Sequence, residues 1–334
     1  MTGQPKYILI GDDRGRNFTN KSEKGVQDKD KKEDILLAGL YLWSTVFKKY
    51  GGGGTIEPYW RKDDLEEYDI VHVNYTPSNL QLPMNIRDEL GESSSTRLII
   101  NVDLDVKQWS PNYSYYLSAM IRDLKCADIL FHVEPHGAAV LEHLMDGKKV
   151  HVNPHPVDVS LLYDYIKKER EPAIGIMFHR YTGETLMQYL ASKNIPLRRI
   201  LFGYTPIGKQ PVVANSKMYD QILMYQSYRD HINELSKCAI GIDLYAGYSF
   251  GRAPIEFAGL GMPAVVSSTI GAAQRLYPFT TVDPFDTKGA EGLLKQLVSD
   301  EEFANKVIKH AHENCTYYSL KNSYKRFIEM MEQP

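Results

Sequence analysis

The sequence predicts an α/β protein of two domains, each a doubly wound parallel sheet. Three observations carry this. Short apolar runs of strand length alternate with stretches whose apolar residues recur every three to four positions, as strands and their covering helices do. The 334 residues suffice for two domains of ordinary size, each burying its own core. The halves also share a faint echo: Leu124-Lys125-Cys126-Ala127 and Leu235-Ser236-Lys237-Cys238-Ala239 both run from a helix end into a strand.

Lys6 to Ile10 reads as the first strand. It leads into Gly11-Asp12-Asp13-Arg14-Gly15, whose glycines lack the spacing of a dinucleotide fingerprint. Residues 16–34 are polar and charged. They predict a loop, either over the crevice where α/β ligands bind or as a plain surface insertion. Ile35 to Tyr50 is helical, with Leu36, Leu37, Leu40, Trp43, Val46 and Phe47 on one face; a core-facing helix is favoured over a membrane-touching one. Gly51 to Gly54 reads as a flexible linker, because no Lys-Ser/Thr follows to make a P-loop. Strands follow at 70–74 and 98–102, a helix at 116–126, a strand at 128–133, a helix at 138–145 and a strand at 150–153, with residues 75–95 read as loops. Beyond the charged segment 167–172 come a strand at 173–178, a helix at 185–192, a strand at 199–202 and one or two helices over 219–235. The end of the chain predicts a strand at 280–282, a helix near 290–297 and a helical region from Glu301 onward in two pieces.

The most informative stretch is 236–275. Ala239 to Leu244 is a buried strand, Tyr245 to Arg252 a glycine-containing loop, Ile255 to Leu260 a helix with Pro254 at its start, and Ala264 to Ser267 the next strand. Gly261 and Pro263 end the helix. A loop opening a helix presents free N–H groups and a positive dipole end, which suits a phosphate. The plain alternative is an ordinary βαβ crossover with nothing bound.

Charge balance, 39 basic against 42 acidic residues, gives no encouragement for a nucleic-acid partner. Cys126, Cys238 and Cys315 form no C-x-x-C pair and read as reduced, mostly buried thiols of a cytoplasmic protein. Tyr7 to Ile10 is too short for a signal-peptide core, and no apolar run nears the roughly 18 residues of a membrane span. His132, Glu134, His136 and His143 lie close in sequence but match no metal-ligand spacing, so the histidines read as cleft-lining or surface residues. No metal site is expected.

The stretch around Glu256 resembles the donor-binding signature of the retaining, family 4 type glycosyltransferases of GT-B fold, E-G-F-G-x-x-x-x-E-A-M-A-x-G-x-P-V-V. Phe250, Gly251, Glu256, Ala258, Gly261, Pro263, Val265 and Val266 fall on its positions. The resemblance implies two Rossmann-like domains facing a cleft: residues 1–165 on the acceptor side, 172–316 holding a nucleotide sugar, and 317–334 as a helix crossing back. It gives Glu256 the ribose of the donor. Tyr248 stands where the family has its first Glu, and Ser249, Phe250, Gly251, Arg252, His179 and Gly11 fall on the donor-binding side. Arg180 matches the Arg of the family's G-R-x(4)-K-G loop, which neutralises the diphosphate; its Lys has no counterpart, and Arg252 or Lys209 could supply that charge. The family's H-D pair falls at Asn101-Val102-Asp103-Leu104-Asp105, which makes Asp103 or Asp105 the cleft-facing acid and Asp103 the catalytic candidate.

These roles suit glycosyl transfer, whose oxocarbenium-like transition state needs fixed positive potential on a departing diphosphate. The implied protein is therefore a metal-independent, retaining glycosyltransferase. Its partners would be a nucleotide sugar and an unidentified glycan, lipid-linked glycan or protein acceptor, with peripheral membrane association compatible. Two other classes stay open: a non-catalytic relative that binds nucleotide or a partner protein, favoured by Tyr248 in place of the acid, and a nucleotide-sugar 2-epimerase.

Overall fold

The computed structural model describes residues 4–10, 39–57, 65–76, 79–91, 93–103, 117–178, 182–203, 216–224 and 227–333. The chain divides into two compact units, Met1–Val157 with Leu320–Pro334, and Asp158–Ser319.

In the first unit β1 (Lys6–Ile10), β2 (Gly53–Glu57), β3 (Ile70–Tyr75), β4 (Arg97–Val102), β5 (Ile129–His132) and β6 (Val150–Val152) form one sheet in the order β2-β1-β3-β4-β5-β6. Every neighbouring pair is parallel. Side chains alternate along a strand. Ile8 and Ile10 therefore enter one core with Val71, Val73, Leu98 and Ile100, while Tyr7 and Leu9 enter a second with Ile70, Ile99 and Phe131. The first core is covered by α2 (Leu82–Leu90), α3 (Leu117–Lys125) and α4 (Pro135–Leu144); the second is covered in part by α1 (Leu42–Tyr50) through Leu42, Trp43, Val46 and Phe47.

Two sequence expectations are corrected here. Residues 51–54 are not a linker, because Gly53 opens β2 and lies opposite Lys6 of β1. A Cβ on Gly54 would collide with the Ser44 carbonyl oxygen in α1, and one on Gly52 with the Gln4 carbonyl. The glycines let strand, helix and incoming chain approach closely, which a search for loop composition mistakes for flexibility. Residues 75–95 are not all loop either: α2 occupies Leu82–Leu90, with Pro83 in its first turn and Gly91 at φ +72° closing it.

In the second unit β7 (Glu171–Met177), β8 (Arg198–Gly203), β9 (Gln221–Met224), β10 (Cys238–Asp243), β11 (Ala264–Ser267) and β12 (Thr281–Val282) run in the order β12-β11-β10-β7-β8-β9, again all parallel. Its helices are α5 (Val159–Tyr163), α6 (Thr182–Ser192), α7 (Tyr228–Ser236), α8 (Arg252–Gly259), α9 (Ala273–Leu276), α10 (Thr287–Ser299) and α11 (Glu301–Cys315). The expected helices over 219–235 resolve into edge strand β9 and then α7, which starts where the Ser227 hydroxyl caps the Asp230 N–H. Gln221-Ile222-Leu223-Met224 is too short to stand as a helix but long enough to extend the sheet beside β8.

Arg170, from the charged segment between the halves, is a clamp. Its guanidinium donates to the carbonyl oxygens of Ser236 (3.2 Å), Cys238 (3.1 Å), Leu260 (2.5 Å) and Gly261 (3.3 Å). The Ser236, Leu260 and Gly261 carbonyls lie at the ends of α7 and α8, where a cation also meets the negative dipole ends, and Cys238 opens β10.

The last helix, α12 (Leu320–Met331), completes the second core of the first unit. Phe327 is fully buried, with ring centroids 5.1 Å from Trp43, 5.0 Å from Phe47 and 5.1 Å from Phe131. Tyr7 stacks on Phe47 at 4.2 Å. His72 of β3 lies in the same layer and shares a 2.7 Å hydrogen bond with the Tyr7 hydroxyl. Burial first, and the neighbouring His155 second, push its pKa down from 6.5 to about 3, so the ring is neutral. Among the described residues no helix is long and apolar enough to cross a membrane.

Two outcomes follow from this layer. Phe327→Ala removes the ring shared by α1, α12 and the sheet, and should cost about 3–5 kcal/mol in urea unfolding of the first unit. His72 must stay neutral to remain folded, whereas the unfolded ring takes a proton below pH 6.5. Stability should therefore fall as pH drops from 6.5 towards 3, by up to about 1.4 kcal/mol per pH unit. The double variant Tyr7→Phe/His72→Leu should flatten that slope in melts taken at pH 7 and pH 5.

Candidate functional site

In the second unit the sheet reverses its build direction between β7 and β10: β8 and β9 add on one side, β11 and β12 on the other. Connections leaving the carboxyl ends of β7 and β10 diverge there, which opens the crevice where α/β sheets bind ligands. Gln188 of α6, fully buried, spans the two ends. Its amide donates to the Met177 carbonyl at 2.8 Å and accepts from the Leu244 N–H at 3.4 Å. Sequence reasoning missed Gln188, because a lone Gln in a helix carries no motif.

The loop after β10 is pinned on both sides. The Ser267 and Thr269 hydroxyls both donate to the Tyr245 carbonyl, at 2.6 and 2.5 Å. Ser249 bridges to Ile270 in parallel fashion and accepts from the Gly271 N–H at 2.7 Å. Gly251, at φ +93°, is the N-cap of α8, and a Cβ there would strike Ile270 and Ala272. Only glycine suits both the backbone angle and the space. Having no side chain, Gly251 leaves the first-turn N–H groups of α8 uncapped by a side chain, with the positive end of the helix at the carboxyl edge of the sheet.

Glu256 sits in the second turn of α8 and is 1% exposed. The Arg252 Nε–H donates to its Oε1 at 2.7 Å, and His231 Nε2 lies 3.4 Å from Oε2. Burial alone would raise the Glu256 carboxyl, but the Arg252 charge and the His231 contact prevail and hold its pKa at about 2. The Arg252 guanidinium also lies 4.7 Å from the centroid of the Tyr228 ring. Phe250, Ser249 and Tyr248 are half-buried in the pinned loop, so the structure brings Tyr248, Ser249, Phe250, Gly251, Arg252 and Glu256 together. Gly11, Asp105, His179, Arg180, Lys209 and the 16–34 loop lie outside the described residues.

In the first unit a second set of polar groups gathers at the carboxyl edge. Asn101 donates to Asn74 at 3.1 Å, joining the ends of β4 and β3. Asp103, just after β4, has Oδ2 3.2 Å from His155 Nε2. The expectation that His132 lines a surface or cleft is corrected: it is fully buried, as is Glu134 beside it. Glu134 caps α4, accepting from the His136 N–H at 2.7 Å and from the Gly137 N–H, and His132 contacts the Glu134 backbone. His136 and His143 are exposed. Among the described residues no three His, Cys, Asp or Glu side chains converge to hold a metal ion. All three cysteines are free thiols.

No protein-family model and no curated protein matches this sequence. Solved structures do match its fold. Sucrose-phosphate synthase from Thermosynechococcus elongatus superposes with a TM-score of 0.68 at 14% identity, covering 99% of both chains. An α-glucosyltransferase in complex with UDP-glucose and DNA containing an abasic site gives 0.62 at 13% identity, covering 99% of this chain and 100% of the other. HepE of Anabaena, in complex with UDP and glucose, gives 0.62 at 12% identity over 99% and 100%. With its two parallel six-stranded sheets, each flanked by helices, this chain has the GT-B architecture of those glycosyltransferases.

Proposed function

We propose that the protein is a glycosyltransferase that takes a sugar from a nucleoside diphosphate sugar, with the donor held by the second unit. The observation that carries this reading is the pinned, glycine-capped loop between β10 and α8, at the point where the sheet reverses direction, with a buried carboxylate one turn into the helix. A diphosphate is the anion that uncapped N–H groups and a helix dipole suit best. Glu256 is the ribose-binding acid on this reading, and two ribose hydroxyls take the places that Arg252 and His231 hold at its oxygens. Arg252, first residue of α8, then turns its charge to the phosphates beside it. Arg180, His179 and Gly11 keep on this reading the donor-binding roles that the resemblance implies.

The reaction we assign is family 4 type transfer with retention. It is independent of metal, because loop amides, the α8 dipole and arginines meet the charge on the leaving diphosphate. Two of the matching structures carry UDP-glucose or UDP with glucose, which supports a uridine nucleotide as donor. The acceptor is a glycan, lipid-linked glycan or protein, approached from the cytoplasmic side, with peripheral membrane contact where the acceptor is lipid-linked.

A thermal-shift series with UDP, GDP, ADP and CMP tests the donor site. A nucleotide at 100 times its dissociation constant should stabilise the protein by about 2.7 kcal/mol. Glu256→Gln, which keeps the shape of the side chain, should lose most of that shift. Gly251→Ala should abolish it and lower the midpoint of the free protein as well. No shift with any nucleotide in the wild type would overturn the assignment. Binding without turnover of UDP-glucose, by hydrolysis or transfer, would favour a nucleotide-binding relative with Tyr248 in the place of the acid.

A further inference from the structure

We propose that His155 is a positioning residue for Asp103 and that Trp43 fixes which ring nitrogen of His155 carries the proton. The role of Asp103 towards a sugar hydroxyl rests on the glycosyl-transfer reading above; the way it is held rests on the first unit alone. Three remote segments meet here: Trp43 belongs to α1, Asp103 follows β4, and His155 follows β6. Trp43 and His155 are each 1% exposed. The Trp43 Nε1–H donates to His155 Nδ1 at 3.3 Å. An indole N–H only donates, so Nδ1 presents its lone pair and the ring proton resides on Nε2.

Nε2 in turn lies 3.2 Å from Asp103 Oδ2. This is hydrogen-bond distance, although the ring N–H is not aligned on the oxygen in this structure. The Asp103 side chain is 36% exposed and has room to turn into line. Such contacts tighten when substrate arrives. Among the described residues the other titratable ring beside His155 is His72, which burial holds neutral.

The consequence is a carboxylate oriented through one oxygen. With Nε2–H turned into line on Oδ2, Oδ1 is the oxygen that can accept from an acceptor hydroxyl. A buried histidine that merely filled space between α1 and β6 would make no such demand on its tautomer.

Two measurements test this. Nitrogen-15 spectra of the labelled protein should show the proton of the neutral His155 ring on Nε2, and Trp43→Phe should relax that preference towards a mixture of tautomers. With UDP-glucose as donor and water as acceptor, His155→Ala should lower kcat/KM by about 10- to 100-fold, as loss of an orienting partner does. Its thermal shift with UDP should stay that of the wild type. His155→Gln, whose amide N–H can replace Nε2–H, should recover most of the rate. Asp103→Asn combined with His155→Ala should be no worse than Asp103→Asn alone. A ring protonated on Nδ1, or His155→Ala turning over like the wild type while Asp103→Asn is impaired, would overturn the proposal. If the wild type turns over no UDP-glucose, the glycosyl-transfer reading with that donor fails, and the spectra still decide how His155 is held.

Discussion

Both sheets are parallel at every neighbouring pair, and that constraint decides where the chemistry can sit. A parallel strand must be reached by a crossover, so all strands leave the sheet at one edge and their connections collect there. In the second unit the order β12-β11-β10-β7-β8-β9 sends the connections of β7 and β10 apart, and Gln188 is the side chain that ties those two ends. In the first unit the reversal lies between β1 and β3, and the polar groups Asn74, Asn101 and Asp103 gather at the carboxyl ends of β3 and β4 beside it. The apolar interior of the strands supplies stability on both faces, as in Ile8 and Ile10 against Tyr7 and Leu9. The edge is left for polar side chains.

Burying those polar groups is costly, and the two units meet the cost differently. Glu256 is an ionised carboxylate at 1% exposure, held so by Arg252 and His231. Removing Arg252 would leave the buried charge with only the longer His231 contact, which weighs more than the pair itself contributes. The first unit instead uses neutral donors. Glu134 is satisfied by backbone N–H groups at the start of α4, and His155 is placed between an indole and Asp103. Arg170 shows a third solution, a cation spread over four carbonyls, none of them charged. Its cost is lowered because guanidinium is weakly hydrated and both of its terminal nitrogens find acceptors.

The parts of this molecule legible in the sequence are those in which local chemistry and fold agree. Apolar runs such as Ile70–Tyr75 and Cys238–Asp243 announce buried parallel strands, and Gly251 with Gly261 brackets α8. What escaped reading was set by distant partners. Gly52 and Gly54 look like a flexible tether until Gln4 and Ser44 are seen pressing on them. Gln221–Met224 reads as helix until β8 stands beside it. His132 looks like a surface residue because nothing local reveals that α4 starts over it. The pairing of His155 with Trp43 spans 112 residues, and no motif spacing encodes a contact of that range.

The charge arrangement around α8 follows from the same logic. Arg252 and Glu256 cancel formally while they face each other at 2.7 Å, so the standing positive potential at this end of the sheet comes from the helix dipole and its uncapped N–H groups. A potential made of dipoles needs no counterion and little reorganisation when an anion arrives. It would be opposed by any fixed carboxylate in the same loop. A tyrosine at position 248, half-buried in the same loop, offers one phenolic hydroxyl there and adds no second acid beside Glu256.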